Sequence, residues 1–324
     1  MNGTTKGGSP VCVAVVSWNT CELLDRCLAS LESECERGRA EVWVVDNGSG
    51  DGSPEMVREK HPWANLHEAG GNLGFGPAVN LVAERTESEW IAPCNSDVAL
   101  VDGALDRMLE AGERHRSAGV IAPRLRLPDG SSQHSAYRFP TLPFTLLFNL
   151  GAHNLHRSLG DRWCLEGYWD PDRAREVDWA IGAFLLVRRA AFEKVGGFSD
   201  EQWMYAEDLD LGWRLGRSGW ETRYEPDAVV LHESGASAEQ AWGSDRAMQW
   251  QRSTYAWMLR SRGPLRTRAV GLVNLLGAGA RWLAFSLLAP LNRRRWGRRR
   301  DAMRSWMRAH AIAFESSAAL RTHR

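Results

Sequence analysis

The chain has 324 residues, 44% of them hydrophobic and 25% charged, with a formal net charge of zero; these values exclude a disordered or fibrous chain and suit one large α/β domain with a smaller appendage. The neutrality hides an asymmetry, because residues 262–324 hold 14 arginines, no lysine and two acids, an excess of twelve positive charges that residues 1–261 must balance, so the tail is basic enough to meet an anionic surface. Six cysteines without a CxxC pair or other metal spacing, behind an N-terminus (MNGTTKGGSP) that lacks the regions of a signal peptide, point to reduced thiols in the cytoplasm.

Residues 11–17, VCVAVVS, form a β-branched run that predicts a buried strand. The following CELLDRCLASLESECERG repeats apolar residues at helical spacing and stops at Gly38. EVWVVDNGSGDGS repeats the pattern, with a strand over 42–45 that ends in Asp46, a Gly/Ser/Asp loop and a helix from Pro54. A third unit reaches NLGFGPAVNLVAER, and a fourth strand, WIAPC, ends in Asn95-Ser96-Asp97 before a helix over 104–111 and a strand over 120–123. This alternation, with polar residues gathered after each strand, predicts a mostly parallel sheet with ligands at the strands' carboxyl ends. Residues 129–178 are irregular and rich in turns and aromatics, as a substrate-side elaboration would be. Regularity returns in VDWAIGAFLLVRRAAFEKVGGF, with a strand through 184–187 and a short helix, and TRYEPDAVVLHESG gives one more strand ending in His232.

The stretch 196–220, GGFSDEQWMYAEDLDLGWRLGRSGW, gathers Trp203, Tyr205 and three carboxylates. Glu207, Asp208 and Asp210 open a predicted helix whose buried side is Leu209, Leu211 and Leu215. Acids at a helix start are ordinary caps, and Asp210 suits that role because Arg214 stands one turn later. Glu207 and Asp208 are left as candidate general bases beside rings that can hold a sugar face. Asp46 and its loop can hydrogen-bond a nucleobase and ribose, although Asn, Asp, Gly and Ser are equally the residues of plain turns. Asn72-Leu73-Gly74-Phe75-Gly76 lacks the GxGxxG spacing of a dinucleotide site. Asp97, at a strand end, is a candidate ligand for Mg²⁺ or Mn²⁺, and His232 can join it or serve structurally.

Seven segments in order, VVSWN, VVDNGSGDGS, NLGFGPAVN, CNSDV, GAFLLVRR, the 196–220 stretch and YEPDAVVLHESG, resemble the inverting nucleotide-sugar glycosyltransferases of glycosyltransferase family 2, in particular their bacterial rhamnosyltransferase-like branch. The resemblance implies an α/β fold of GT-A type, a mostly parallel sheet flanked by helices, over residues 11–260, after a flexible 1–10 and before a basic helical extension at 261–324. It implies that Asp46 contacts the base, with Asn19, Asn72, Gly74, Asn95 and Ser96 around the donor nucleotide. Asp97 would close a DxD-like motif and His232 complete a Mg²⁺ or Mn²⁺ site. Asp208 would be the catalytic base, with Gly182, Ala183, Trp203, Tyr205 and Glu207 against sugar or acceptor. Asn95 departs from the family's pattern by removing one charge. The implied activity is a single displacement from a nucleoside diphosphate sugar, with L-rhamnose or another deoxyhexose as the sugar, to a hydroxyl of a lipid-linked glycan or a metabolite in polysaccharide biosynthesis. A sugar-1-phosphate nucleotidyltransferase, which lacks support from a basic Gly-rich loop after the first strand, and a non-enzymatic membrane- or nucleic-acid-binding protein are the competing readings.

In the tail, 269–289 is apolar for the length of a membrane span, but Arg281 lies in its middle and Gly271, Gly277 and Gly279 weaken it. With Arg293–Arg295 and Arg298–Arg300 after it, the segment fits a helix lying on an anionic membrane through 262–308, or a helical cap on the catalytic domain. Nucleic acid is not an expected partner.

Overall fold

The computed structural model describes residues 9–202, 205–233 and 246–315. Its elements begin with β1 (Val11–Ser17), α1 (Cys21–Glu36), β2 (Ala40–Asp46), α2 (Ser53–Lys60), β3 (Asn65–Glu68), α3 (Phe75–Ala83), β4 (Trp90–Asn95), β5 (Val98–Leu100), α4 (Ala104–Arg114) and β6 (Ala118–Arg126). They continue with β7 (Ala136–Tyr137), α5 (Leu142–Asn149), α6 (Arg157–Arg162), β8 (Arg175–Val177), β9 (Trp179–Ala180), β10 (Leu186–Arg188), α7 (Arg189–Lys194), α8 (Glu207–Arg217) and β11 (Glu221–His232). Helices at Arg246–Arg262, Pro264–Leu288 and Arg298–Ala311 follow. These elements form two compact units, one made of the described residues of Met1–Arg138 and Asp170–Gly243, the other of those of Phe139–Trp169 and Ser244–Arg324.

The first unit is built on a sheet ordered β3-β2-β1-β4-β10-β6-β11-β5, with β8 also paired to β11. Pairing is parallel through β3, β2, β1 and β4 and again between β6 and β11, and antiparallel at β10, β5 and β8. β1 is buried along its length because both sheet faces are covered by helices, which is why its sequence is a continuous apolar run rather than an alternation. Val11, Val13 and Val15 pack with Leu24, Leu28 and Leu105 on one face. Cys12 and Ala14 belong to the other face, with Val79, Phe192 and Leu215. Full burial of each such Leu or Val side chain contributes about 1.5–3 kcal/mol. All six cysteines are free thiols.

Register places the functional ends. β1 pairs with β2 and β4 so that Ser17 lies opposite Asp46 and Val16 opposite Asn95, which lines up three strand ends at one edge. β11 runs antiparallel to β5 with His232 opposite Val98. That pairing brings the last residue of one strand beside the residue that precedes another.

In the second unit, α5 packs on the Pro264–Leu288 helix where Gly277 leaves room for the Asn149 side chain, and Asn149 Nδ2 donates to Asn274 Oδ1 at 2.8 Å. Tyr255 Oη and His310 Nδ1 lie 2.8 Å apart and tie the Arg246–Arg262 and Arg298–Ala311 helices together. These contacts explain why α5 and residues 246–260 group with the C-terminal helices and why the grouping differs from a boundary at 260. The glycines do not interrupt the Pro264–Leu288 helix; Gly271 is where Ala313 approaches it.

Candidate active site

Asp46 ends β2 and is 3% exposed. Its Oδ2 accepts from the backbone N–H of Gly48 at 3.1 Å and of Ser49 at 2.9 Å, so the carboxylate shapes the turn that follows it. Its Oδ1 is buried and has no hydrogen-bond partner among the described residues. A buried acceptor left open is costly in an empty protein and useful to a ligand that brings an N–H. Asp46 lines a cleft of about 300 Å³ together with Gly48, Ser49, Gly50, Glu68 and Gly70. Asn19 shapes the same loop from β1's side: its backbone is left-handed (φ 52°), its Oδ1 accepts from Gly50 N–H at 2.8 Å, and its own N–H donates to Ser49 Oγ at 2.9 Å. Asn72 Oδ1 accepts from Gly74 N–H at 2.9 Å, while Asn47 Nδ2 reaches Gly74 O at 3.4 Å.

The second cluster forms where β4 ends. Asp97 and His232 are 7% and 5% exposed, and His232 Nε2 lies 3.3 Å from Asp97 Oδ1. The other ring nitrogen, Nδ1, is 2.7 Å from Gln133 Oε1. An amide oxygen can only accept, so this contact assigns the proton to Nδ1 and turns Nε2 toward the carboxylate. Imidazole nitrogen and carboxylate oxygen are donors that Mn²⁺ takes, so the chemistry of this buried pair would fit such an ion. Among the described residues no group of three or more His, Cys, Asp or Glu side chains could hold a metal, so such an ion would draw the rest of its shell from diphosphate and water. Ser96 joins a buried hydroxyl chain in which its Oγ lies 2.7 Å from Thr20 Oγ1, itself 3.1 Å from Ser17 Oγ.

A short strip between β9 and β10 links this cluster to the carboxylates of α8. Ala183 O accepts from Asn95 N–H at 2.8 Å. Gly182 N–H donates to Asp208 Oδ2 at 3.1 Å, and Leu209 N–H donates to Asp208 Oδ1 at 2.7 Å. Gly212 lets α8 close on β9, since a Cβ there would lie 2.7 Å from Trp179 Cβ. Before α8, Tyr205 and Ala206 both have left-handed backbones (φ 61° and 64°), a conformation that costs an L-residue on the order of 1–2 kcal/mol. The loop is fixed at its far end, where Asn80 exchanges hydrogen bonds with Phe198 and Arg214 donates to Val195 O and Gly197 O. Arg214 also bonds Asp210 Oδ2 at 2.7 Å, the predicted one-turn pair, and Leu209, Leu211 and Leu215 are buried as the pattern required. Trp203 lies outside the described residues.

Burial raises both remaining acids. Asp208 is pushed up to about 6 by desolvation, against the two N–H groups that hold its charge. Glu207 is pushed up to about 8 by desolvation and then by the neighbouring Asp208 charge, and its Oε2 has no hydrogen-bond partner among the described residues.

The folded chain thus carries a cleft of about 300 Å³ beside Asp46, a buried carboxylate–imidazole pair, and an Asp208 carboxylate held by two N–H groups. The glycosyl transferase family 2 model matches residues 12–165, and the glycosyl transferase family group 2 model matches residues 173–311. An N-acetylglucosaminyl-diphospho-decaprenol L-rhamnosyltransferase of Mycobacterium tuberculosis (strain CDC 1551 / Oshkosh) is 35% identical over 287 residues, covering 79% of this chain and 91% of that protein. This chain belongs to glycosyltransferase family 2. The glycosyltransferase is also 34% identical over 205 residues to the rhamnosyltransferase WbbL of Escherichia coli (strain K12), covering 60% of this chain and 73% of that one. Its fold matches a mannosyltransferase of Pyrobaculum calidifontis, solved with GDP-mannose and Mn²⁺, with a TM-score of 0.56 at 18% identity over 97% of this chain and 87% of that one. The expected GT-A architecture and glycosyl transfer therefore stand, and the nucleotidyltransferase and non-enzymatic readings are set aside.

Sequence reasoning about this glycosyltransferase did not single out Gln133, Ser17, Thr20 or Asn80. Ser17 and Thr20 carried a signal, as hydroxyl residues at and just past the end of a buried strand; Gln133 lies in the irregular stretch and carried none.

The raised acids set a pH dependence. A group whose folded pKa lies above its unfolded value favours folding fully below about 4.5, and that contribution is lost as pH rises through about 8 for Glu207. Glu207→Gln should therefore raise the unfolding midpoint relative to the parent at pH 9 more than at pH 6. Thermal scans at the two pH values check this, and an equal difference at both would contradict it. Transfer, if Asp208 is the base, should rise with pH and level off above about 6.

Proposed function

We propose that this enzyme transfers a rhamnosyl group, with inversion, from a nucleoside diphosphate to a hydroxyl of a polyprenyl-diphosphate-linked N-acetylglucosamine, working in the cytoplasm at the membrane periphery. The observation that carries the chemistry is Asp208, an acid raised by burial yet gripped by two N–H groups behind a strained loop. The sugar and acceptor are supported by the mycobacterial relative, whose name gives both and 91% of which is covered.

In this mechanism Asp46 Oδ1 accepts an N–H of the donor's base, and the cleft beside it takes the nucleoside. Asn95 and Ser96 lie along the diphosphate. Asp97 and His232 would hold Mg²⁺ or Mn²⁺, which when bound neutralises charge on the departing nucleoside diphosphate. Gln133 keeps the His232 ring oriented. The acceptor hydroxyl forms its bond to the anomeric carbon as the bond to the diphosphate oxygen breaks with its electron pair, and Asp208 takes the hydroxyl proton. Glu207, whose carboxyl burial and the neighbouring Asp208 charge push toward the protonated form, offers a hydrogen bond to the acceptor, while Gly182, Ala183 and Tyr205 complete the sugar side.

The test incubates the full chain, a divalent ion and polyprenyl-diphosphate N-acetylglucosamine with a panel of nucleoside diphosphate sugars, and reads the lipid product by mass. Gain of one deoxyhexose from the rhamnose donor is expected. Transfer of another sugar with the rhamnose donor inert would overturn the assignment.

A further inference from the structure

The exposed leucines of the Pro264–Leu288 helix form one stripe. Leu265, Leu272, Leu276, Leu283 and Leu287 are 85%, 47%, 64%, 58% and 81% exposed. At about 100° per residue they fall within an arc of about 60°, and from first to last they run about 33 Å along the helix. Thr267, Val270, Gly271 and Ala278 are buried and are centred about 180° away on the same helical wheel. Arg281 belongs to that opposite side: its guanidinium Nη2 donates to Asn149 Oδ1 at 2.9 Å. The charge that argued against an apolar segment is therefore turned away from the leucines.

We infer that this stripe is a docking surface for an anionic lipid leaflet, on which the helix lies flat without crossing it. The inference rests on the peripheral placement proposed above. The segment is long and apolar enough to span by length and composition, but a spanning helix would carry Arg281, Asn274 and their partners into hydrocarbon, where each polar group is costly. Lying flat, the helix buries only its leucine face, the arrangement of an interfacial amphipathic helix. Charge selects the partner. The helix contains no Asp or Glu, and exposed arginines stand at both ends of the stripe: Arg266 and Arg268 near its start, Arg293, Arg294 and Arg295 just past its end. Arginines rimming an apolar face match phosphate headgroups around acyl chains, and a second copy of the chain would instead bring the same positive rim against itself.

The experiment uses the full chain and vesicles of equal parts phosphatidylglycerol and phosphatidylcholine, with pure phosphatidylcholine as reference. The parent should sediment with the anionic vesicles, less so as salt rises, and alkaline carbonate should release it. The triple variant Leu276→Gln, Leu283→Gln, Leu287→Gln should bind them at least about tenfold more weakly with an unchanged unfolding midpoint. Arg294→Glu with Arg298→Glu should weaken binding to the anionic vesicles without touching the apolar face. Equal binding by parent and triple variant, resistance to carbonate, or a dimer in buffer that the triple variant turns into a monomer would each overturn the proposal. Transfer to a short-chain, water-soluble acceptor separates the two readings: it should survive the triple variant, and its absence in a parent that binds vesicles would sink the reaction and leave the surface.

Discussion

Asp208→Asn should lower kcat by about 10²–10⁴ and leave donor affinity near the parent's, because general-base catalysis supplies a term of that size and the substitution keeps the side chain's shape. The geometry makes the variant informative. Asparagine can still accept from Gly182 N–H through its Oδ1, which keeps α8 joined to the 182–184 strip, while its amide nitrogen replaces the oxygen that accepted from Leu209 N–H; an unfolding midpoint measured beside kcat separates that lost bond from lost proton transfer. Two neighbouring substitutions act as controls. Glu207→Gln replaces an acid that burial and the neighbouring Asp208 charge already push toward its protonated form, so its effect on kcat should be far smaller. Asp210→Asn weakens the bond to Arg214, which also holds the carbonyls of Val195 and Gly197, and so should lower the unfolding midpoint more than it lowers kcat. Rates and donor affinities for the three variants check the assignment; an active Asp208→Asn beside an inactive Glu207→Gln would move the base by one residue.

The second large effect is expected at the carboxylate–imidazole pair. Asp97→Ala should abolish the gain in nucleoside diphosphate affinity that Mn²⁺ brings, and His232→Ala should reduce it, because the two side chains bring a carboxylate oxygen and an imidazole nitrogen within 3.3 Å of each other. Calorimetric titration of nucleoside diphosphate with and without Mn²⁺ measures this without turnover. A parent whose affinity ignores Mn²⁺, or an Asp97→Ala variant that responds as the parent does, would remove the ion from the account.

Local pattern made much of this site legible. Strand ends are read from where apolar runs stop, and Asp46, Asn95 and His232 each sit at such an end. Asp210 and Arg214 are one helical turn apart, so their pairing followed from spacing alone. What stayed hidden depends on contacts between distant parts of the chain. Gln133 meets His232 across 99 residues, and its own surroundings in sequence show no periodicity. Gly182 serves Asp208 through a backbone N–H, which no side chain advertises. Asn149 meets Asn274 across 125 residues, so the attachment of α5 to the C-terminal helices had no local sign. In the tail, the position of Arg281 along the apolar segment does not say what it faces; its angle around the helix does, and that emerges only with its bond to Asn149.

The central claim, a single displacement with Asp208 taking the acceptor's proton, is tested most directly by the stereochemistry of the product. Nuclear magnetic resonance of the glycoside formed from an anomerically pure nucleoside diphosphate rhamnose reads the configuration at the transferred carbon. The account predicts a product of opposite anomeric configuration to the donor. A product that keeps the donor's configuration would contradict it, since a base acting on one attacking hydroxyl cannot retain that centre.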